Sequence, residues 1–316
     1  MIGAPQPSVD RFRASWDRLA RPEHDSRMLV ALSGGPDSTA LLLLAHAAFG
    51  DRCYAATVDH GLRPESAAEA AHAASICSRL SVSHATLSAA PIAGGNLQAN
   101  ARAVRYRLLA EHSEAIGAHW IATAHHADDQ LETMLMRLNR GSGVAGLAAI
   151  RAVEGRVVRP LLGWRRAELA AIVAAADIHP VNDPSNRDDR FDRARLRKRL
   201  GDIDWLDPLA ASRSAAALQD AEAALAWAAD RLDPERIRRT PQAAVLDARD
   251  LPAELRRRLV IRCLLHVDAT ASPRGEALTR IIAQLEADER AMLGAVLVTP
   301  AGANWTFGKA PARRSG

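Results

Sequence analysis

Met28-Leu29-Val30-Ala31-Leu32-Ser33-Gly34-Gly35-Pro36-Asp37-Ser38-Thr39-Ala40-Leu41-Leu42-Leu43-Leu44 decides the architecture of this 316-residue chain. The short apolar run 28–32 reads as a buried strand, and the apolar stretch after Asp37 is long enough for a helix. Two glycines let the backbone turn tightly with its N–H groups facing an anion, and the helix that follows adds its positive end. Ser33 and Ser38 can donate hydroxyl hydrogen bonds, and Pro36 stiffens the turn. Asp37 repels a phosphate on its own, but beside one it makes sense as a ligand of Mg²⁺. The bland alternative is a glycine turn in which Asp or Ser merely caps the helix. A position directly after a buried strand favours the phosphate-gripping turn.

The same alternation continues outward. Residues 54–58, 82–87 and 120–124 read as further strands, and 66–80, 97–116 and 128–138 as helices between and after them. Strands alternating with helices imply a doubly wound, Rossmann-like α/β parallel sheet, in which ligands bind beyond the carboxyl ends of the strands. The polar clusters 33–38, Asp59-His60 and 125–129 all fall there. Downstream the texture changes to the turn-rich Asn182-Asp183-Pro184-Ser185-Asn186, a basic run of Arg193, Arg195, Arg197, Lys198 and Arg199, and the turn Asp207-Pro208. The reading is a catalytic domain over 1–208 and a second, smaller, mainly helical domain over 209–316. The latter carries an apolar stripe of Leu218, Leu225 and Leu232, helices over 254–266 and 276–286, and a frayed tail after Lys309.

Composition excludes several classes. With 48% apolar and 25% charged residues the chain is an ordinary globular one. Lys198 and Lys309 are the only lysines, so the first half can hold neither a Walker-type lysine nor a Schiff-base lysine. Cys53, Cys77 and Cys263 are too widely spaced for a disulfide framework or a CxxC pair. The polar, proline-bearing residues 1–10 do not resemble a targeting segment, and the apolar run 39–49 falls well short of the ~20 residues needed to cross a bilayer. A soluble, cytoplasmic protein without a membrane partner is expected.

Two further constellations carry chemistry. In Ala124-His125-His126-Ala127-Asp128-Asp129-Gln130-Leu131-Glu132-Thr133 the histidines are adjacent rather than one helical turn apart, so they cannot chelate a metal as HExxH does. Asp129 and Glu132, three apart, share a helix face and could receive a cationic substrate or a metal. A capping box with Asp128 or Asp129 as cap explains the same spacing equally well. In Asn100-Ala101-Arg102-Ala103-Val104-Arg105-Tyr106-Arg107, Arg102 and Arg105 share a face that could clamp phosphate or could simply be solvated.

Taken together, Ser33-Gly34-Gly35-Pro36-Asp37-Ser38, Val58-Asp59-His60-Gly61-Leu62-Arg63, the 101–106 stretch and the His-His-Ala-Asp-Asp-Gln-Leu-Glu-Thr block resemble the tRNA(Ile)-lysidine synthase family in order and spacing. Arg140-Gly141-Ser142-Gly143, Arg159-Pro160-Leu161-Leu162 and Asp183-Pro184-Ser185-Asn186 extend the likeness over roughly the first two-thirds of the chain. The glycine loop alone indicates the wider N-type ATP pyrophosphatases (the PP-loop fold), and the His-His block narrows this to one branch, in its short form.

The resemblance implies ligation of L-lysine to C2 of the wobble cytidine in a CAU-anticodon isoleucine tRNA, through an adenylated cytidine, with ATP and Mg²⁺. It implies that Ser33, Gly34, Gly35, Pro36, Asp37 and Ser38, with Asp59 and His60, bind the nucleotide, and that Asp37 holds the metal. Asp37, Arg105, His125 and Asp129 would act in catalysis, and Asp129 and Glu132 would hold the ammonium groups of lysine. Arg102, Arg140, Arg193 and Arg197 would contact tRNA. Whether the chain pairs as a homodimer stays open. The family's Arg-Asn pair is here Arg193-Ala194, which puts an asparagine contact in doubt. Discrimination of tRNA would rest on the module after about residue 210, where Arg256, Arg257, Arg258 and Arg262 form either a phosphate contact or a solvated face. The rivals are a tRNA thiolase, which the lack of a cysteine pair opposes; an amidating synthetase, which the chain has no room to supply with a glutaminase domain; and a tRNA-binding module with a dead nucleotide site, which the retained Asp37, Asp129 and Glu132 oppose.

Overall fold

The computed structural model of the chain describes residues 3–20, 27–61, 65–90, 97–181, 192–200, 203, 205–273 and 275–310. Met28, Val30 and Leu32 alternate with Leu29 and Ala31, and all five are buried. Successive strand side chains point to opposite faces, so a strand buried throughout must be covered on both sides. Accordingly, Met28, Val30 and Leu32 join one apolar cluster and Leu29 and Ala31 another.

A helix α1 (Gln6–Ala20) precedes this strand, β1 (Arg27–Ala31). There follow α2 (Pro36–Phe49), β2 (Cys53–Asp59), α3 (Ser66–Arg79), β3 (Ser83–Ser88), α4 (Leu97–Ala115), β4 (Ala118–Ala122), α5 (Ala127–Leu138), the short α6 (Val144–Leu147), β5 (Val153–Glu154), β6 (Val157–Val158), α7 (Arg166–Ala175) and α8 (Asp192–Leu200). The strand order is β3-β2-β1-β4-β6-β5. All neighbours run parallel except the edge pair β5 and β6. The chain steps outward from β1 to β3 and then returns to lay β4 against the other side of β1. This reversal is a topological switch point, where a crevice opens at the carboxyl ends of the strands.

The doubly wound sheet expected from the sequence is thus present, with strands and helices within a few residues of their expected bounds. Helices α1, α6 and α7 and the β5–β6 hairpin lacked a sequence-based expectation. Helix α1 buries Val9, Phe12, Trp16 and Ala20, one stripe of a helix, against α2. Helix α7 buries Leu169, Ile172 and Val173 in the same cluster. The β5–β6 hairpin turns at Gly155, in the left-handed region at φ +57°.

The chain divides into two compact units, 1–217 and 218–316. Helix α9 (Pro208–Arg236) runs through the division, and β7 (Ile237–Thr240), β8 (Ala243–Asp247), α10 (Ala253–Val267), α11 (Gly275–Glu286), β9 (Ala291–Leu293), β10 (Val296–Ala301) and β11 (Asn304–Lys309) complete the second unit. Helices α10 and α11 lie where the sequence predicts them. What the sequence reading lacks is an antiparallel sheet, in the order β7-β8-β11-β10-β9. Its one-sided alternation buries Ala244, Leu246, Val296, Val298, Trp305 and Phe307 against the apolar faces of the two helices. The arginines of α10 are largely tied to acids of the same unit. Arg258 binds Glu222 through two hydrogen bonds of 3.0 and 2.6 Å, Arg262 reaches Asp230 at 2.5 Å and Asp233 at 3.1 Å, and Arg256 reaches Glu286 at 2.7 Å.

Among the described residues no helix is long and apolar enough to cross a membrane.

Candidate active site at the switch point of the sheet

Leu32 still donates its N–H to Ala56 O at 2.9 Å, so Ser33 emerges just beyond the carboxyl ends of β1 and β2. Gly34 takes the left-handed conformation, φ +79°, and its carbonyl accepts the N–H of Val181 at 2.8 Å. Gly35 is the N-cap of α2, Pro36 fills the first turn, and no side chain caps the helix. A helix start without a capping side chain keeps its positive end available to an anion. Ser38 Oγ closes the turn, accepting from Ser33 N at 3.2 Å, lying 3.0 Å from Ser33 Oγ and donating to Gly35 O at 3.1 Å. Asp37 is therefore not the cap that the bland reading requires. Its Oδ1 is buried and lacks a hydrogen-bond partner among the described residues.

Across the switch point, β4 delivers the His-His block. His125 lies with Nδ1 3.1 Å from Thr123 Oγ1. His126, not an aspartate, is the N-cap of α5, and Asp129 at the third helical position accepts the backbone N–H of His126 through Oδ2 at 3.1 Å. His126 is only 1% exposed and has three carboxylates around it. Its Nε2 lies 3.5 Å from both Asp37 Oδ2 and Asp129 Oδ2, and its Nδ1 lies 3.4 Å from Asp128 Oδ2. Burial works against a charged ring, but hydrogen bonds to Asp128 and Asp37 and the charges of Asp129 and Asp37 outweigh it and raise the pKa to about 10. Nδ1 is also 3.4 Å from Asp129 N; in the protonated ring it donates to Asp128 instead. Asp128 in turn accepts the N–H of Arg166 at 2.8 Å. The imidazolium thereby links the glycine turn to α5. The sequence reading did not single out this residue for a role, although an N-cap histidine among aspartates was the available signal.

Arg197 reaches over from α8. Its Nε and Nη2 bind the two oxygens of Glu132 at 2.6 and 2.9 Å, and Nη2 lies 3.5 Å from Asp129 Oδ1. Burial opposes its charge, and the hydrogen bonds and charge of Glu132 raise its pKa regardless. The arginine expected at tRNA thus sits on the two carboxylates expected to receive lysine.

These groups border three cavities. The first, about 390 Å³, is lined by the turn from Gly35 to Ser38 and by Arg102, Arg105, His125, Asp129 and Arg197. The second, about 200 Å³, has apolar walls from Ala56, Val58, Ala70 and Leu109 and a rim of Asp59 and His60; Ser33 and Arg105 line both. The third, about 420 Å³, borders Glu132 and Arg197 with Leu131, Leu200, Ile203 and Leu206.

Burial and the neighbouring Arg102, only partly offset by Tyr106, hold the pKa of Arg105 below the usual guanidinium value. Burial and the charge of Arg105 likewise lower the pKa of His60. Asp59 Oδ1 accepts the N–H of Gly61 at 2.9 Å, and this bond, with one from Ser66, lowers its pKa. Arg102 stacks on the ring of Tyr106, 4.9 Å from its centroid. Arg140 is exposed in the turn after α5 and lines none of the three cavities. The side chains of Arg193 and Ala194, and the 183–186 segment, lie outside the described residues.

The donor set suits Mg²⁺ better than a protein-only metal cage. Among the described residues no group of three or more His, Cys, Asp and Glu could hold an ion. A single aspartate with a spare oxygen beside a phosphate turn is the arrangement in which Mg²⁺ shares its shell with substrate phosphates and water. Burial pushes all three thiols up to about 12, so none offers a reactive thiolate near neutral pH.

A family model described as a PP-loop domain matches residues 9–203. The chain is 42% identical over 315 residues to a tRNA(Ile)-lysidine synthase of Novosphingobium aromaticivorans, covering 98% of this chain and 95% of that one. It is equally 42% identical to the tRNA(Ile)-lysidine synthase of Zymomonas mobilis, over 98% of this chain and 96% of the relative. Among solved structures, the U34-tRNA thiolase NcsA of Methanococcus maripaludis is similar in fold, with a TM-score of 0.54 and 16% identity over 68% of this chain and 79% of that one.

Proposed function

This chain belongs to the tRNA(Ile)-lysidine synthases, a family of ATP-using PP-loop enzymes that modify tRNA, and we propose that it joins L-lysine to C2 of the wobble cytidine of a CAU-anticodon isoleucine tRNA. The observation that carries the site assignment is the uncapped glycine turn, with its spare Asp37 oxygen, and Asp129 around one switch-point crevice, with Glu132 lining the third cavity, which shares Arg197 with that crevice. The N–H groups and hydroxyls of Ser33, Gly34, Gly35 and Ser38 grip the phosphates, and the apolar walls rimmed by Asp59 and His60 suit the adenine. Asp37 would hold Mg²⁺, which when bound neutralises phosphate charge.

The cytidine C2 oxygen attacks the α-phosphorus and pyrophosphate leaves. The lysine amine then bonds to C2, AMP departs with the oxygen, and the amine releases a proton. Positioning and charge neutralisation supply most of the rate, with Arg105 and His125 at the crevice facing the reacting groups. Asp129 and Glu132 bind the lysine cation, taking over from or sharing with the Arg197 guanidinium that now satisfies them. The third cavity is aliphatic along Leu131, Leu200 and Ile203 and carries Asp128 and Glu132 beside Arg165, Arg166 and Arg197; it suits a four-methylene chain ending in an ammonium where that ammonium takes the place of Arg197 on Glu132. Arg102, Arg140 and Arg193 are assigned to the tRNA backbone. The enzyme works in the cytoplasm, where its tRNA is.

Thiolation by the same fold is disfavoured, because it needs a reactive thiol and the three present are buried and protonated. The test mixes purified protein, ATP, Mg²⁺, labelled lysine and the CAU tRNA. Label should enter the RNA with stoichiometric pyrophosphate, and Asp37→Asn should lower the rate at least 100-fold without loss of folding. If the wild type puts no label into the RNA, the ligase reading is wrong; if Asp37→Asn retains activity, only the metal assignment is. Size-exclusion chromatography with light scattering decides between monomer and homodimer.

A further inference from the structure

Most arginines described in the second unit have acids to bind. Arg236, Arg239, Arg249, Arg256, Arg258 and Arg262 each lie within 4 Å of a carboxylate in 218–316, and those pairs offset the charge of these six arginines. Arg231, in the interior of α9, has no such pair among the described residues. Trp227 is 63% exposed, the ring of a large apolar side chain left in water. The guanidinium of Arg231, one turn on, lies 5.1 Å from its centroid. No carboxylate pairs with Arg231 among the described residues, while the adjacent Asp230 is bound by Arg262 at 2.5 Å.

We propose that Trp227 and Arg231 form a stacking platform for one unpaired nucleotide of the tRNA, the indole face receiving the base and Arg231 the adjoining phosphate. An exposed aromatic face is costly in water and is satisfied by any nucleobase, because every base presents a π-face. The cation over the ring polarises it and remains available to an anion. A double-helical segment buries its base faces and cannot use the platform. The proposal rests on the tRNA-modifying reading for the identity of the RNA, and on the Trp227–Arg231 geometry for the contact. It moves the expected RNA contact of the second unit from the arginines of α10 to a face of α9.

The test measures binding of the unmodified CAU tRNA to the full chain at two salt concentrations, together with steady-state kinetics. Trp227→Ala should weaken tRNA binding roughly 10-fold, within the range expected for loss of one base stack, and raise KM for tRNA with kcat and the KM values for ATP and lysine unchanged. Trp227→Phe should keep most of the affinity. Arg231→Gln should weaken binding less and lower the salt slope by about one. An RNA duplex of similar length should bind wild type and Trp227→Ala alike. Equal tRNA affinity of wild type and Trp227→Ala overturns the platform, as does a change of oligomeric state in Trp227→Ala, which would make this face a contact between copies. If wild type binds tRNA, Trp227→Ala loses binding and no lysine is joined, the platform stands and the ligase reading falls.

Discussion

Replacing His126 by glutamine removes the imidazolium from among Asp37, Asp128 and Asp129 while keeping a polar side chain of similar reach. Raising an imidazole from 6.5 to about 10 is worth at most about 5 kcal/mol. Removing one member of a buried charge cluster commonly costs about 3–5 kcal/mol, so His126→Gln is expected to destabilise the first unit by that amount at pH 6.5. Because the folded pKa lies above the unfolded one, the stabilisation is complete below about 6.5 and is lost as pH rises toward 10, by about 1.4 kcal/mol per pH unit. At pH 9.5 the gap between wild type and variant should shrink to about 1–2 kcal/mol, the residue of the charge effect plus the hydrogen bonds. Pulse proteolysis in urea, with EDTA present, reads the stability of 1–217 separately through its own peptides. A gap below 1 kcal/mol at pH 6.5, or one that does not narrow with pH, would refute the charged-clamp reasoning.

Arg197→Ala removes the bidentate partner of Glu132, whose side chain is only 3% exposed, and should cost about 3 kcal/mol; millimolar lysine should restore thermal stability to this variant more than to wild type. An equal effect of norleucine, which has no ε-amine, would reject a carboxylate seat for the cation. Gly34→Ala forces a Cβ into a residue at φ +79°, 3.4 Å from Val181 Cγ2. It should cost about 1–2 kcal/mol and at least 10-fold in KM for ATP, and an unchanged ATP KM would show that the turn does not carry phosphate. Arg258→Ala breaks the pairs with Glu222 and Glu254 and should lower the unfolding free energy of 218–316 by about 1–3 kcal/mol with little change in tRNA affinity. A 10-fold loss of affinity with unchanged stability would make α10 an RNA surface after all.

The parallel sheet was legible because its central strand is a continuous apolar run, strands alternate with helix-length stretches, and polar clusters fall where the strands end. The glycine turn was legible because Gly34 and Gly35 follow a strand that could only be buried. The antiparallel sheet of the second unit has a weaker trace. Trp305 and Phe307 alternate with exposed residues after the Gly302-Ala303 turn, whereas the apolar Leu297 between Val296 and Val298 blurs the alternation before it; each of these strands spans six residues, and short alternation is easily hidden beside strongly helical neighbours. Helix α1 shows a plain 3.6-residue stripe that its polar, proline-bearing start obscured. In the site, spacing put Asp129 and Glu132 on one face but said nothing of Arg197, because an ion pair 65 residues apart in the chain leaves no local pattern. His126 was obscured by the apparent equivalence of two adjacent histidines, which separates only when the helix start places one in the core and the other at the cavity.

That long separation also orders events during synthesis. Glu132 is built well before the guanidinium that accompanies it in the folded unit, and at about 5–20 residues per second the intervening 65 residues take about 3–13 s to translate. Until Arg197 emerges, α5 must carry that carboxylate without it, so the nascent sheet can form while the carboxylate edge beside α5 stays open. A late stretch of the first unit is the one that closes this edge.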